Sequence, residues 1–473
     1  HEFFGLEGKT LLVRLQYQNV LAARVGAHGI PMEELVAARE EHASILEDVH
    51  LERRAGKHAF LDLPYQAEGA KEWAQFGSGV GRRYKNIVVI GMGGSSLGFA
   101  AVHRACSHPF ANLKSRRAGS PRVFVLDNID PDTVSALLEV AKPRDTFFNV
   151  ISKSGSTPET AANFFVILEK LRKARPDTWR EHLAITTDPD KGSLRSFASR
   201  EGIASFPVPP GVGGRFSVLS AVGMLPAAAA GIPIDEVLEG AREMDVASLQ
   251  SGFDTNIPFQ IALIHTLLAK RHKSIAVMMP YSDGLSGFSL WFRQLWAESL
   301  GKRLDLSRRE VHAGQTPVVA AGAVDQHSQI QLYVEGPNDK VIGFLALEKH
   351  RKRVRIPSDD ASGELGYLGG TGLDRVLRAE REGTQVALTR AERPNYTITI
   401  PTTSPKTIGA LLYLFEAAVV YAGRMFGVNP YDQPGVDAGK KAAAALLGQE
   451  GTEDEKKALR SFLRPDKAHT LEW

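Results

Sequence analysis

Four short apolar runs between residues 86 and 187 have the β-branched and aromatic content of buried strands. They cover residues 86–90, 122–127, 146–151 and 183–187, and amphipathic stretches separate them. Strands that alternate with helices at this spacing form right-handed βαβ units. The pattern therefore predicts a doubly wound parallel sheet, whose ligands gather at the carboxyl ends of its strands.

A second series of apolar runs follows in the C-terminal half of the chain. We interpret residues 274–279, 329–334, 341–347 and 396–400 as strands, and residues 284–300 and 407–426 as helices. The fold class expected is α/β, with two doubly wound parallel-sheet domains and helical extensions at both ends. The predicted boundaries are 1–80 for the N-terminal helical extension, 81–236 and 237–430 for the two domains, and 431–473 for the C-terminal segment.

The turn at residues 152–160 is rich in hydroxyl groups and reads Ser-Lys-Ser-Gly-Ser-Thr-Pro-Glu-Thr. It joins the third strand to an amphipathic run. Ser156 or Thr157 can cap the following helix, and Glu159 stands three residues after Ser156, which completes a capping box. One interpretation of this turn is a well-capped helix that binds nothing.

The other interpretation is a phosphate site. Free N–H groups and the positive end of the helix dipole favour an anion, and Ser152, Ser154 and Thr157 add hydroxyl donors. From the turn alone the two interpretations carry equal weight.

A glycine-rich turn, Gly-Met-Gly-Gly-Ser-Ser-Leu-Gly at residues 91–98, directly follows the first strand. It matches a dinucleotide loop incompletely, because Ser96 stands at the third glycine and no acidic residue follows about 20 positions later. It lacks the Gly-Lys-Ser/Thr of a Walker A loop. Its backbone amides and Ser95 suit a single phosphate or a sugar, so the two turns predict one small phosphorylated ligand.

Arg215 lies in a flexible turn at residues 211–217, where its guanidinium can meet an oxyanion. Arginine suits a developing enediolate because its charge is permanent and its donors are planar. A surface ion pair is the alternative.

Glu298 lies near the end of the predicted helix 284–300. Its spacing places it on one helical stripe with Trp291, Gln294 and Leu295 instead of on a solvated face. Apolar neighbours and the negative end of the helix dipole favour proton uptake, which suits a general base. The alternative is a buried carboxylate paired with Lys302 or another cation.

Composition narrows the function classes. The 473 residues include 57 basic and 54 acidic side chains, and the formal net charge of +3 gives no bulk field for nucleic acid. The single cysteine, Cys106, fits a reducing compartment, and no metal-ligand motif occurs. The N-terminus lacks a signal-peptide core, and the apolar run 408–423 contains Glu416 and falls short of a membrane span. We therefore expect a cytoplasmic protein with no membrane partner.

Together these residues resemble the glucose-6-phosphate isomerase (phosphoglucose isomerase) family, which has two sugar-isomerase, Rossmann-like domains. The resemblance spans roughly residues 85–440. It rests on six segments in the family's order, at residues 90–98, 152–160, 212–217, 294–302, 325–328 and 434–440.

The resemblance implies roles for individual residues. The phosphate would be held by Gly94, Ser95, Ser152, Lys153, Ser154 and Thr157. Glu298 would move a proton between C2 and C1, Arg215 would stabilise the cis-enediol(ate), and Gln294 would contact the sugar or phosphate. Lys440 and His327 would open the ring, with His327 contributed by the neighbouring subunit of a homodimer. Ser154, Gly155 and Asp437 stand where many relatives have Thr, Phe and Glu, which bears on local geometry.

The reaction implied is interconversion of D-glucose 6-phosphate and D-fructose 6-phosphate in glycolysis and gluconeogenesis, without cofactor or metal. Two alternatives stay open. A dual glucose/mannose phosphate isomerase would turn over mannose 6-phosphate, whereas a non-catalytic sugar-phosphate-binding module would not need Glu298, His327 and Lys440 together.

Overall fold

The computed structural model describes residues 12–114, 120–249, 255–358 and 363–471, so the first eleven residues of the predicted N-terminal extension lie outside the described part. The chain divides between Pro430 and Tyr431 into two compact units. The first unit contains all the strands of the described residues. These are β1 (Arg14–Gln16), β2 (Asn86–Ile90), β3 (Arg122–Leu126), β4 (Thr146–Ile151), β5 (Leu183–Thr187), β6 (Ala204–Pro207), β7 (Ile275–Pro280), β8 (Lys302–Leu304), β9 (Glu310–Ala313), β10 (Thr316–Val319), β11 (Lys340–Leu347) and β12 (Asn395–Ile400).

The first unit contains two five-stranded sheets, and the described residues of both units form α-helices. They are α1 (Ala22–Val25), α2 (Met32–Glu41), α3 (Ser44–Arg54), α4 (Ala67–Arg83), α5 (Leu97–Cys106), α6 (Pro131–Val140), α7 (Pro158–Ala174), α8 (Ser193–Glu201), α9 (Ala221–Ala229), α10 (Ile234–Ser248), α11 (Ile257–Lys270), α12 (Ser286–Leu300), α13 (Ile330–Glu335), α14 (Leu373–Arg390), α15 (Pro405–Met425), and in the second unit α16 (Asp437–Leu446) and α17 (Glu453–Leu463).

The first sheet is parallel throughout and has the order β3-β2-β4-β5-β6. Strands β2, β4 and β5 are buried along their whole length, as their continuous apolar runs require in a sheet covered on both faces. All four strands predicted in this half are confirmed. The strand order reverses between β2 and β4, because β3 is added on one side of β2 and β4 on the other, and this is the switch point where a doubly wound sheet binds its ligands.

The second sheet repeats the connectivity of the first. Its order is β1-β12-β11-β7-β10, and the four strands from the C-terminal half are parallel. The N-terminal strand β1 pairs antiparallel with β12, a strand within the otherwise helical N-terminal region that the sequence did not indicate. The α/β class with two doubly wound sheets is confirmed, whereas the predicted domain boundaries stay predictions.

The strand predicted at residues 329–334 is wrong, because this segment is helix α13. Its apolar residues alternate, but Ile330, Tyr333 and Val334 also fit the i, i+3, i+4 spacing of a helix. All three pack into the core cluster beside β7 and β11. The edge strand of the second sheet is instead β10. Its Pro317 has no backbone N–H to donate, which an edge strand tolerates because one side of it has no neighbouring strand.

Helix α15 forms the centre of the core and packs against α10, α11 and α12. It has the length and apolar composition of a membrane-crossing helix, contrary to the expectation that this run is too short. However, 94% of its most apolar window is buried inside the protein, as in the core helix of a globular fold. Its Glu416 is fully buried, both carboxyl oxygens lack a hydrogen-bond partner among the described residues, and burial raises the pKa of this group well above its ordinary value.

Charged side chains of helix α3 form ion pairs with helices α10 and α15. Glu52 accepts hydrogen bonds from Arg424 of α15 and from His58 at 3.0 Å. Burial raises the pKa of Glu52, but the hydrogen bonds and charges of Arg424 and His58 outweigh it and lower this pKa to about 2. Arg53 donates to Asp245 of α10 at 2.7 Å. The N-terminal segment is therefore tied to helices α10 and α15.

Candidate active site

Two loops meet at the switch point of the first sheet. Strands β2 and β4 are neighbours, so the glycine-rich loop after β2 and the hydroxyl loop after β4 leave the sheet side by side. A β-carbon added to Gly91 would lie 3.2 Å from the carbonyl oxygen of Ile151, the last residue of β4. The two loops predicted to share one ligand thus begin in contact.

The glycine loop also touches the turn that carries Arg215. A β-carbon on Gly94 would lie 2.4 Å from the carbonyl oxygen of Gly214 and 2.6 Å from the backbone nitrogen of Arg215. Gly93 has a φ of +54°, and its β-carbon would lie 2.7 Å from Nε2 of Gln294. The glycines are therefore needed here for close approach, which brings the loop, Arg215 and helix α12 together.

Arg215 is buried, with 3% of its surface exposed, and its guanidinium is fixed on several sides. Nε donates to Oγ of Ser299 at 2.8 Å, and Nη2 donates to the carbonyl oxygen of Pro430 at 2.6 Å. Nη1 faces Oε2 of Glu298 at 3.3 Å. Because the N–H donors lie in the guanidinium plane, hydrogen bonds at two nitrogens restrict its orientation, and the third nitrogen points at a carboxylate.

Glu298 is held by two side chains. Its Oε1 accepts a hydrogen bond from Nε2 of Gln294 at 3.0 Å, and its Oε2 pairs with Arg215. Its side chain is 32% exposed, although Leu295 on the same stripe is fully buried. The predicted partner Lys302 instead donates to the backbone oxygen of Glu298 at 2.7 Å. A carboxylate that is oriented, partly exposed and next to a fixed cation can exchange a proton with a ligand whose negative charge the cation stabilises.

The hydroxyl loop is held by its own side chains and by β5. Ser152 is 2% exposed, and its Oγ lies 2.9 Å from Oγ1 of Thr157. Thr187, the last residue of β5, donates from Oγ1 to the carbonyl oxygen of Ser152 at 2.7 Å. Oγ of Ser154 accepts hydrogen bonds from the backbone N–H and the hydroxyl of Ser156, both at 3.2 Å.

The predicted capping box is absent from this loop. Thr157 occupies the N-cap position of α7, but no side chain makes a capping hydrogen bond there, because the Thr157 hydroxyl contacts Ser152 instead. Glu159 is only an acidic residue in the first turn. The first-turn N–H groups of this 17-residue helix thus keep no side-chain cap, which favours the anion interpretation over the capped-helix one.

Two further predicted phosphate residues lie on these loops. Ser95 ends the short 3-10 turn after β2 and is half-buried. Lys153 is half-buried, and its carbonyl oxygen accepts a hydrogen bond from the backbone of Asp188 at 3.1 Å. Both residues stay candidates for phosphate contact.

The structure does not bring His327 to this cluster. His327 follows the 3-10 turn Val324–Gln326, its imidazole is exposed, and within the described residues that ring makes no hydrogen bond or ion pair. Lys440 lies on α16 of the second unit and is exposed there. The roles implied for both residues stay predictions.

Three contacts of the site were not anticipated from the sequence: Ser299, Thr187 and the Pro430 carbonyl. Neither Ser299, which follows Glu298, nor Thr187, which ends a strand, belongs to a recognisable sequence motif. The position of Thr187 at the carboxyl end of β5 was the only available signal, because that edge of a parallel sheet is where ligands collect. No sequence pattern indicates a main-chain acceptor such as that of Pro430.

The chain matches a family model and several known proteins over most of its length. Residues 67–365 and 372–462 match the family model described as phosphoglucose isomerase. The chain is similar to glucose-6-phosphate isomerase of Carboxydothermus hydrogenoformans, with 43% identity over 95% of this chain and 97% of that protein. It is also similar to glucose-6-phosphate isomerase of Rubrobacter xylanophilus, with 41% identity over 93% of this chain and 99% of that protein.

Solved structures show the same fold. The crystal structure of a hypothetical protein from Thermus thermophilus matches with a TM-score of 0.81 and 34% identity, over 92% of this chain and 100% of that chain. A glucose-6-phosphate isomerase from Chlamydia trachomatis matches with a TM-score of 0.71 and 24% identity, over 84% of this chain and 77% of that chain.

Proposed function

Because the chain belongs to the phosphoglucose isomerase family, we propose that it interconverts D-glucose 6-phosphate and D-fructose 6-phosphate. The observation that carries this proposal is the pair formed by Glu298 and Arg215. One carboxylate oxygen lies 3.3 Å from the guanidinium and the other 3.0 Å from Gln294. This arrangement holds a base beside a permanent positive charge, as an aldose–ketose proton transfer requires.

The proposed chemistry moves one proton from C2 to C1 and one from O2 to O1, and it leaves the other atoms of the sugar unchanged. Glu298 takes the proton from C2 of the open-chain aldose, and the electron pair forms the C1–C2 double bond of a cis-enediol(ate). Arg215 stabilises the developing negative charge on oxygen. Glu298 then returns the proton to C1, while the proton on O2 passes to O1, so that O2 becomes the ketose carbonyl oxygen and O1 the hydroxyl of C1, and no oxidant or reductant is needed.

The phosphate end of the substrate is proposed to rest on the two loops at the switch point. The uncapped N-terminus of α7 and the hydroxyls of Ser152, Ser154 and Thr157 offer donors to an anion. Lys153 adds positive charge, and Gly94 and Ser95 contribute from the neighbouring loop. Anchoring the non-reacting end in this way would hold C1 and C2 near Glu298, which converts binding energy into orientation.

A test of the base compares Glu298→Gln with Glu169→Gln, which removes an exposed carboxylate of α7. In heavy water we expect hydrogen exchange at C1 and C2 to fall at least ~10²-fold in Glu298→Gln, the typical worth of a general base. Fructose 6-phosphate binding should stay within about tenfold, and the control should behave as the parent. Exchange at the parental rate in Glu298→Gln would remove this residue from its role.

Ring opening is assigned to His327 and Lys440, with His327 reaching the site of a neighbouring subunit in a homodimer. The exposure of the His327 imidazole in the single chain supports this assignment. Mixing a His327→Ala chain with a Glu298→Gln chain should restore part of the activity through hybrid sites. Failure to recover activity despite proven subunit exchange would contradict the shared site.

We also propose a cytoplasmic location and a role in glycolysis and gluconeogenesis, which follow from the substrate.

A further inference from the structure

Ser299 directly follows the proposed base and is fully buried in the last turn of α12. Its hydroxyl oxygen accepts the hydrogen bond from Nε of Arg215 at 2.8 Å. The family resemblance assigned this serine no role. We propose that Ser299 is a positioning residue that fixes the orientation of the Arg215 guanidinium for the isomerase reaction, an inference that rests on the proposed function.

The argument begins with the geometry of the guanidinium. Its N–H donors lie in the plane of the group, so hydrogen bonds at two nitrogens restrict the direction in which the third nitrogen points. The Ser299 hydroxyl holds Nε, and the Pro430 carbonyl holds Nη2 at 2.6 Å. Nη1 is left facing the Glu298 carboxylate, where the reacting atoms of the substrate are expected. Nη2 also faces the backbone oxygen of Glu298 at 3.4 Å, and loss of the Ser299 hydroxyl would remove the 2.8 Å contact at Nε and loosen the orientation of the plane.

Because this contact is buried, its loss costs more free energy than the loss of a surface hydrogen bond. Arg215 is 3% exposed and Ser299 is 0% exposed, so water cannot readily replace a missing acceptor for Nε. The serine backbone also belongs to the same helical turn as Glu298. One short segment therefore sets both the base and the direction of the cation, and a change at Ser299 should act on the charge-stabilising step more than on the binding of a neutral sugar.

The test substitutes Ser299→Ala and compares it with Ser289→Ala, which removes another fully buried hydroxyl from α12, one that donates to the Leu285 carbonyl at 3.4 Å. We expect kcat of Ser299→Ala to fall ~10- to 100-fold, the cost of misplacing a catalytic group, while KM changes less than about threefold. Ser289→Ala should keep the parental kcat.

Two phosphorylated probes separate positioning from structural damage. 5-Phosphoarabinonate carries a carboxylate that imitates the enediolate charge, whereas sorbitol 6-phosphate is neutral at C1 and C2. Ser299→Ala should bind the first at least about tenfold more weakly and the second almost unchanged. Equal weakening of both probes, or equal kcat losses in the two serine variants, would overturn the inference.

A second variant keeps the test decisive if Ser299→Ala does not fold. Ser299→Cys preserves the shape of the side chain but replaces the oxygen with a weak acceptor, so it should show the same selective loss of 5-phosphoarabinonate binding. Parental selectivity in Ser299→Cys would contradict the inference. An inactive parent protein would instead refute the proposed function, so the two failures are distinguishable.

Discussion

The contact between Gly94 and the Arg215 turn gives the sharpest test of how the site is built. In Gly94→Ala the new β-carbon would lie 2.3 Å from the carbonyl carbon of Gly214 and 2.6 Å from the Arg215 nitrogen. Ordinary contacts start near 3.4 Å, so one of the two backbones must move by roughly 1 Å. No flexible side chain stands at this point to absorb the shift.

A displacement of this size should appear mainly in the rate. Misplacing a catalytic group by about 1 Å costs up to ~10²-fold, or roughly 2.7 kcal/mol of activation free energy. Overpacking adds about 1–3 kcal/mol of lost folding stability. We therefore expect kcat/KM for fructose 6-phosphate to fall by about two orders of magnitude at a temperature where the variant is still folded.

The assay measures isomerase turnover and urea unfolding side by side. The matched control is Gly383→Ala on the exposed face of α14, where an added β-carbon meets nothing within 4 Å. That variant should keep parental turnover and gain about 0.5–1 kcal/mol of stability, because alanine is the better helix former. Parental kcat/KM in a folded Gly94→Ala protein would refute the idea that this close approach sets the position of Arg215.

Three further predictions follow from single side chains. Thr157→Val removes the 2.9 Å contact with the Ser152 hydroxyl and should raise KM for glucose 6-phosphate about 2- to 12-fold at unchanged kcat, which steady-state kinetics would check. The pKa of Glu52 is lowered to about 2, so the stability that its charge adds is present above pH 4.5 and is lost towards pH 2. The difference in unfolding free energy between the parent and Glu52→Gln should reach about 2–3 kcal/mol at pH 7 and should become smaller below pH 4.5. Burial raises the pKa of Glu416 well above its ordinary value, so ionisation in the unfolded chain destabilises the folded state as the pH rises above 4.5. Glu416→Met should therefore raise the unfolding free energy by about 1–3 kcal/mol at pH 7, with a smaller gain below pH 4.5.

The strands of the first sheet could be predicted because their signal is local. A strand buried on both faces is mostly apolar and does not alternate with polar residues, and β2, β4 and β5 show this pattern apart from a few buried Asn and Thr side chains. The strand predicted at residues 329–334 was wrong because these six residues fit both the two-residue period of a strand and the spacing of a helix. Packing of Tyr333 into the core decided between them.

The capping box failed for a related reason. Its residues stand at the right spacing, and spacing is all that a motif records. In the folded chain the Thr157 hydroxyl lies next to Ser152, and this local contact replaces the cap. The outcome depends on how the loop folds back on the end of β4, where Thr187 of β5 holds the Ser152 carbonyl. The capping-box prediction was therefore wrong, and the missing cap favours the interpretation of this turn as a phosphate site.

By itself the sequence determined the fold class, the turns at the strand ends and the identity of the candidate base, because each depends on residues within one short segment. Only the tertiary structure decided which cation faces Glu298. Lys302 is four residues away on the chain, yet Arg215, separated by 83 positions, forms the ion pair. The physical reason is that Gly94 and Gly93 let the glycine loop, the arginine turn and helix α12 approach to backbone contact, and no pattern within any one of the three records that approach.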